Sequence, residues 1–166
     1  MKSIRKILFV MAALAAVFGF VACSDDDDDG PLVVAMYEYK DTWTAEDGTT
    51  EYSDTYTAFF YNDGSFIVTS VGNDDEGSWN YIEQTGVYTG DPSKDGTIKI
   101  TVEKKNWYYD DGNMKLLDIK DYIKAMYVTE VTDDFINNII REAYTNKPIT
   151  ITGGKANIDG DEYTKK

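Results

Sequence analysis

The chain has 166 residues, of which 16 are basic and 30 acidic, and it contains one cysteine and no histidine. Without histidine, a Ser-His-Asp triad, histidine acid–base catalysis and an ordinary zinc site are all excluded. The formal net charge of −14 repels phosphates and anionic headgroups, so nucleic acid and anionic membrane surfaces are not expected partners.

Residues 1–22 have the layout of an export signal. Lys2, Arg5 and Lys6 form a basic start, and the 16 residues from Ile7 to Ala22 carry no charge. That run is shorter than the roughly 20 residues with which a helix crosses a bilayer, as is typical of a signal peptide. We therefore predict a signal peptide at 1–22, a tether at 23–31 and one domain at 32–166.

The only cysteine, Cys23, follows the apolar run directly. Together with Val21 and Ala22 it resembles the lipobox of bacterial lipoproteins, and this resemblance implies cleavage before Cys23 and acylation of it. Acyl chains contribute ~0.8 kcal/mol per buried methylene, so several of them hold a protein on a membrane without a transmembrane helix. The alternative, an unpaired thiol, is disfavoured in an oxidising compartment.

An acidic run comes next, formed by Ser24, Asp25, Asp26, Asp27, Asp28 and Asp29. It resembles the signal that directs lipoproteins of the Bacteroidota to the cell surface. The resemblance implies an exported chain that is anchored to the outer membrane and faces the cell exterior. The alternative is a solvated, self-repelling spacer. Without residues 1–22 the chain keeps 13 basic and 30 acidic side chains, a formal charge of −17.

The first half of the domain is predicted to consist of strands joined by close turns. These strands are expected at Leu32–Trp43, Thr49–Tyr61, Ser65–Val71 and Gly77–Tyr88. The clearest turn is Asn62–Gly64, where a left-handed glycine places Phe60 opposite Phe66.

In the second half, Thr97–Val102 alternates strictly and is the strongest strand signal of the chain. Further strands are predicted at Asn106–Tyr109, Met114–Ile119, Tyr122–Val131, Ile149–Thr152 and Lys155–Ile158. A helix is predicted at Thr132–Thr145, because Thr132 can cap it and apolar residues recur at helical spacing.

These elements predict a mainly β fold: an antiparallel up-and-down meander closed into a barrel of about eight strands, with one short helix late in the chain. Closure would remove the exposed edges of a flat sheet. An open β-sandwich is the alternative.

Three stretches, Phe60–Phe66, Gly77–Tyr81 and Gly96–Ile100, together with the closing Ile149–Gly153, resemble lipocalin-like (calycin-type) lipoproteins. This resemblance implies a lipocalin-like barrel that can hold a small apolar ligand. It assigns no ligand-binding residue.

The many acidic residues raise two kinds of chemical site, a calcium site and a glycosidase site. Oxygen-bearing side chains that could attract calcium occur at Asn73, Asp74, Asp75 and Glu76 and at Asp159, Asp161 and Glu162, but neither spacing fits an EF-hand loop, so solvated turns are favoured. A carboxylate glycosidase needs a defined pair of acids, and no pair stands out. We expect neither a metal, a cofactor nor an enzymatic activity.

Aromatic residues are the remaining candidates for a site. Trp79, Trp107, Tyr108 and Tyr109 could stack on a sugar or line a ligand cavity, although packing of the barrel or its rim is the simpler role. Adjacent aromatic residues at 107–109 point to both faces of a strand, so at least one faces away from the core.

The function predicted from these features is a surface lipoprotein with a non-enzymatic barrel that binds a small apolar or glycan-type ligand. The alternative is a structural or adhesive accessory lipoprotein without a small-molecule ligand.

Overall fold

The computed structural model of the chain describes residues 30–45, 47–73, 77–108, 113–127 and 130–166. Residues 33–166 form one compact unit. The predictions on Cys23, Ser24, the aspartates Asp25–Asp29, the loop Asp74–Glu76 and Tyr109 fall outside the described residues.

Antiparallel strands dominate the described part of the chain. The strands are β1 Val33–Thr44, β2 Glu51–Tyr61, β3 Ser65–Asn73, β4 Ser78–Thr89, β5 Gly96–Tyr108, β6 Met114–Asp118, β7 Lys147–Thr152, β8 Lys155–Ile158 and β9 Asp161–Lys165. The helices are α1 Ile119–Met126 and α2 Asp133–Ile139, and a π-helical turn, Ile140–Tyr144, continues α2.

The sheet closes on itself. Strands β1 to β5 pair in sequence order, and β5 then pairs with β7, β7 with β8, β8 with β9, and β9 with β1. The result is a closed antiparallel barrel of eight strands with β6 as an extra strand, and a short helix follows late in the chain. The predicted fold class is confirmed, and the open sandwich is excluded by this closure.

Strands β6 and β7 share one edge of β5. The partners of β4 in β5 run from Lys99 to Lys105, whereas β6 pairs with residues 104–108 and β7 with residues 96–100. Some residues of β5 pair with both β4 and β6, and others pair with both β4 and β7, so β4 lies along one edge of β5. Strands β6 and β7 therefore share the other edge, one after the other. The chain between them forms α1, α2 and the π turn, which brings these helices to the barrel wall.

One half of the barrel interior is a packed apolar core. Phe60 lies opposite Phe66, as predicted, and both are about 1% exposed. The interior residues of the other strands around them are also buried, among them Tyr37, Val68, Ile98, Ile100, Val102, Ile149, Ile151 and Ala156. We call this half the packed half.

The segment Gly90–Asp95 between β4 and β5 closes the end of the packed half. The hydroxyl of Tyr37 donates to the carbonyl of Pro92 at 2.7 Å, and Lys165 Nζ donates to the carbonyl of Ser93 at 2.6 Å. The backbone N–H of Gly153 donates to Asp95 Oδ1 at 3.0 Å. Bonds from three different parts of the wall therefore fix this segment across the barrel.

The prediction of a strand at Tyr122–Val131 is wrong. Residues Ile119–Met126 form α1, and Ile119 and Ile123, one helical turn apart, are buried in the core. The predicted strand at 97–102 and residues 106–108 of the next predicted strand also belong to a single strand, β5. The late helix is confirmed: Thr132 caps α2 by accepting the N–H of Phe135, and Ile136 is fully buried.

Of the helices that the structure describes, none combines the length and apolar character that a membrane span requires.

Candidate functional site

The other half of the barrel interior is lined by aromatic and polar side chains, and we call it the aromatic half. Tyr39, Tyr56, Ser70 and Tyr81 lie opposite one another across β1, β2, β3 and β4. Opposed residues of antiparallel strands share a face, and Tyr56 lies two residues from the core residue Ala58. This row therefore faces the interior, next to the packed half.

A hydrogen-bond network crosses the aromatic half and centres on Asp54, which is 7% exposed. Ser70 Oγ donates to Asp54 Oδ1 at 2.7 Å, and Trp79 Nε1 donates to Ser70 Oγ at 3.2 Å. The Tyr56 hydroxyl also donates to Asp54; burial and this bond raise the pKa of Tyr56 well above its ordinary value. The buried carboxylate is thus held by two hydroxyl donors.

Tyr108 contacts the row of the aromatic half from β5, through Tyr81. Its ring packs edge-on against Tyr81, with 5.5 Å between the ring centroids, and a hydrogen bond joins the two hydroxyl groups. Backbone pairing of β4 with β5 ends at the pair Gln84 and Lys105, so Tyr81 and Tyr108 lie beyond the paired part of the two strands. The contact between the two tyrosines therefore links strands that no longer pair here.

A second group of side chains surrounds Lys105, which lies opposite the buried interior residue Gln84. Lys105 Nζ is 3.7 Å from Glu83 Oε1, and both side chains are only about one-quarter exposed (24% and 21%). The same ammonium lies 5.9 Å from the centroid of the Tyr122 ring on α1. Trp107 packs edge-on against that ring at 5.6 Å.

Glu83 owes its position to a β-bulge. Val68 pairs with Gln84 and Thr69 with Ile82, so Glu83 is the extra residue in β4. Desolvation raises the pKa of Glu83 above its ordinary value, and the charge of Lys105 opposes this rise.

Asp159 approaches the aromatic half from the β8–β9 turn. Gln84 Nε2 donates to Asp159 Oδ2 at 3.5 Å, across 75 residues of sequence. Asp159 has a left-handed backbone with φ of 53°, which a tight turn before Gly160 requires. Close by, Tyr163 is buried and its ring lies 5.6 Å from that of Tyr39.

The aromatic half retains contact with solvent that the packed half lacks. Tyr39, Tyr56, Trp79 and Tyr81 are all half-buried, whereas Phe60 and Phe66 in the packed half are about 1% exposed. Interior side chains at this end of the barrel therefore remain partly accessible to solvent.

The structure brings the predicted site residues into two neighbouring groups. Trp79 belongs to the Asp54 network, and Tyr108 packs against Tyr81 beside it. Trp107 belongs to the group around Lys105, and Tyr109 is outside the described residues. Sequence reasoning missed Asp54, Tyr56, Glu83, Lys105 and Tyr122. A carboxylate two residues before Tyr56, on the core face of a predicted strand, was the signal that could have identified Asp54.

Two of the acidic residues considered for calcium have other contacts. Glu162 forms an ion pair with Lys155 at 2.5 Å, and Asp159 accepts the bond from Gln84. Within the ranges that the structure describes, no three acidic or cysteine side chains gather in a way that could hold a metal ion.

Comparisons with known proteins add no assignment: no protein-family model, no curated protein and no solved structure matches the chain.

Proposed function

We propose that this chain is a lipocalin-like, lipid-anchored surface protein that binds a small ligand in the aromatic half and has no enzymatic activity. The observation that carries the proposal is the division of the barrel interior. One half is filled by apolar side chains, and the other is lined by half-buried rings and hydrogen-bonding groups.

The lining suits ligands with a flat apolar face and a few polar groups. Tyr39 and Tyr56 are stacked on each other with 6.1 Å between their centroids, and the parts of the two rings that stay exposed could contact a sugar or an apolar ring. Asp54 and Gln84 place a carboxylate and an amide beside that surface. Rings fix such a ligand by contact area, and polar groups fix its orientation.

The path of the chain is compatible with display of this site. β1 begins at Val33, which pairs with Tyr61 beside the turn that ends the packed half. The first strand of the barrel therefore begins at the packed end. The aromatic half lies toward the other end, where the β1–β2 turn at residues 45–50 is located.

A structural or adhesive accessory protein is the second candidate. Several large apolar residues in hairpins and helices are exposed, among them Trp43, Tyr108, Met114, Met126, Tyr127 and Phe135. Exposed apolar residues near one another are typical of contact surfaces. Tyr127 and Phe135, for example, pack edge-on at 5.2 Å while each remains more than one-third exposed.

Recovery of a bound molecule tests the proposed function. The protein is purified from its native membrane, denatured and extracted, and the extract is analysed by mass spectrometry and titrated back while tryptophan fluorescence is followed. We expect a recovered compound to bind the parent and the control Trp43→Phe, and to bind Trp79→Phe more weakly. An extract without any compound that rebinds would contradict the proposal and favour the accessory function.

A further inference from the structure

We propose that the free edge of β1, its side along Lys40–Thr44, binds an extended peptide segment of another protein that carries basic residues at alternate positions. Such a segment would lengthen the sheet by one strand, and main-chain hydrogen bonds would hold it. The inference goes beyond the small-ligand function proposed above and does not depend on it. It follows from the pairing of β1, the direction of its backbone groups and the charges beside its edge.

The last part of β1 has a strand partner on one side only. The strand pairs with β2 from Val33 to Thr44, but it pairs with β9 only at Tyr37 and Glu38. Among the described strands, none pairs with this second side of β1 along Lys40–Thr44. Every residue of that stretch is also exposed. This part of β1 is therefore open to a further strand.

Backbone groups of every second residue point toward the free edge. The carbonyl of Met36 accepts a bond from the last residue of the chain, across the β1–β9 pair, at 3.0 Å. Such groups alternate between the two sides of a strand, so those of Lys40, Thr42 and Thr44 point the same way. The N–H of Thr42 is bonded to the carboxylate of Asp41 at 2.9 Å, a bond that an incoming segment would replace. An edge of this kind is a template for a further strand.

The charges beside the free edge favour a basic partner. Tyr39 and Asp41 share the inner face of β1, and Asp161 begins β9 across the edge. Desolvation raises the pKa of Tyr39 above its ordinary value, and the charges of Asp161 and Asp41 add to the rise, so both carboxylates lie near this ring. The ion pairs of the described residues include neither of them. A segment at the edge would place alternate side chains beside these carboxylates, where lysine or arginine is favoured.

The same face adds an apolar contact. Trp43 follows Asp41 at a spacing of two residues and is 38% exposed. The segment that fits best therefore has an apolar residue two positions from a basic one. The edge of β4 before Gln84 also lacks a strand partner in the described part of the chain, but Tyr108 packs against Tyr81 there. The free edge of β1 is thus the better binding surface.

Three blocked heptapeptides test the inference on the full-length protein in detergent. The first alternates threonine with arginine, valine and arginine, the second has glutamate in place of arginine, and the third is the first methylated on its backbone nitrogens. Calorimetry measures binding, and NMR follows hydrogen exchange of the β1 amides. We expect the basic peptide to bind at least about tenfold more tightly than the acidic one and to slow exchange at Lys40 and Thr44. The methylated peptide cannot donate to the carbonyls of β1 and is expected not to bind.

Two variants locate the binding surface. Thr42→Pro removes an N–H that points toward the free edge and leaves the pairing with β2 intact, so we expect it to abolish binding of the basic peptide. Thr42→Val is the matched control, because it keeps the N–H, and it should bind like the parent. Asp41→Asn is expected to reduce the preference for the basic peptide. Asp134→Asn, which removes an exposed carboxylate on α2, should leave that preference unchanged.

The peptides also define what would overturn the inference. Equal binding of the basic and acidic peptides would contradict the selection of basic segments. Binding of the methylated peptide, or unchanged exchange at Lys40 and Thr44, would contradict pairing at the edge. If none of the peptides binds, the whole inference is overturned. These comparisons are made on the parent protein, so misfolding of a variant does not affect them, and they leave the test of the small ligand independent.

Discussion

The indole ring of Trp79 lies over Gly72 of the adjacent strand, where any side chain would collide with it. A Cβ atom at residue 72 would stand 2.5 Å from Trp79 Cζ2 and 2.8 Å from the backbone oxygen of Ser53. Glycine is thus required here for space. The absence of a side chain lets Trp79 lie flat against β3, from where its Nε1 reaches Ser70.

Replacement of Gly72 by alanine tests this relationship. We expect Gly72→Ala to lower the free energy of unfolding by about 1–3 kcal/mol, because the added methyl group must displace the indole or the backbone of β2. Urea unfolding measures the loss, and a shift in tryptophan emission reports movement of Trp79. Gly30→Ala is the control, since nothing lies within 4 Å of a Cβ there. Equal stability of both variants and the parent would show that the indole moves without cost.

The carboxylate of Asp54 supports a second prediction. Asparagine removes the charge and places an amide donor where one carboxylate oxygen stood, so the buried group no longer matches the hydroxyls of Ser70 and Tyr56. We expect Asp54→Asn to cost about 1–3 kcal/mol of unfolding free energy, the usual penalty for an unsatisfied buried group. Thermal and urea unfolding measure it.

Asp41→Asn is the matched control for that experiment, because Asp41 lies opposite Asp54 in the β1–β2 register but is exposed. The control is expected to remain within about 0.5 kcal/mol of the parent. A loss of the same size in both variants would mean that the buried network contributes no more than a surface aspartate does.

The barrel could be predicted from local patterns. Strict alternation over Thr97–Val102 marks Ile98 and Ile100 as core residues, and the turn Asn62–Gly64 fixes the register of β2 with β3. Each of these signals lies within a few neighbouring residues. The number and spacing of such strands favour a closed barrel. The pairing of β9 with β1, which distinguishes the barrel from an open sandwich, is a contact between distant parts of the chain.

The site could be predicted only in part, because its contacts depend on register. Lys105 meets Glu83 through an extra residue in each of β4 and β5, and sequence alternation gives no sign of either bulge. Tyr122 lies in the stretch Tyr122–Val131, for which the sequence predicts a strand, whereas in the structure it belongs to α1. The helical spacing begins at Ile119, which is the last residue of the strand predicted at Met114–Ile119. The sequence prediction therefore divides this helix between two strands.

Lipidation gives a third prediction. Cys23→Ser removes the sulfur that would carry the acyl chains, so we expect the variant to lose a metabolic acyl label and to leave the membrane fraction. Cell fractionation and labelling with an alkyne fatty acid measure the two effects. A Ser24→Ala variant, which keeps Cys23, is expected to remain acylated. Undiminished membrane retention of Cys23→Ser would place the anchor elsewhere in the chain.

Surface display gives a fourth prediction, which concerns the run Asp25–Asp29. A spacer needs only polarity and length, whereas a sorting signal needs the charge. We expect replacement of all five aspartates by asparagine to protect the protein from external protease on intact cells. Total protein and acylation should be unchanged in the same cultures. Cleavage as rapid as in the parent would show that the run acts only as a linker.

The buried tyrosines predict a loss of stability at alkaline pH. Burial is the main cause that raises the pKa values of Tyr37 and Tyr163 above 10, and neighbouring aspartates add to it. The folded chain keeps these protons after the unfolded chain has released them. The stabilisation is therefore complete below pH 10 and is lost as the pH rises from 10 toward the folded pKa values, by about 1.4 kcal/mol per pH unit for each tyrosine.

Tyr163→Phe tests this slope. The Tyr163 hydroxyl takes part in none of the three bonds described above that fix the segment Gly90–Asp95, so its removal leaves those bonds in place. We expect the variant to lose stability above pH 10 less steeply than the parent, by about the contribution of one tyrosine. Urea unfolding at pH steps from 8 to 11 measures the slope. Ile158→Val, a smaller change in the same core, should be less stable at every pH with the slope of the parent. Parallel curves for Tyr163→Phe and the parent would show that Tyr163 ionises alike in the folded and unfolded chains.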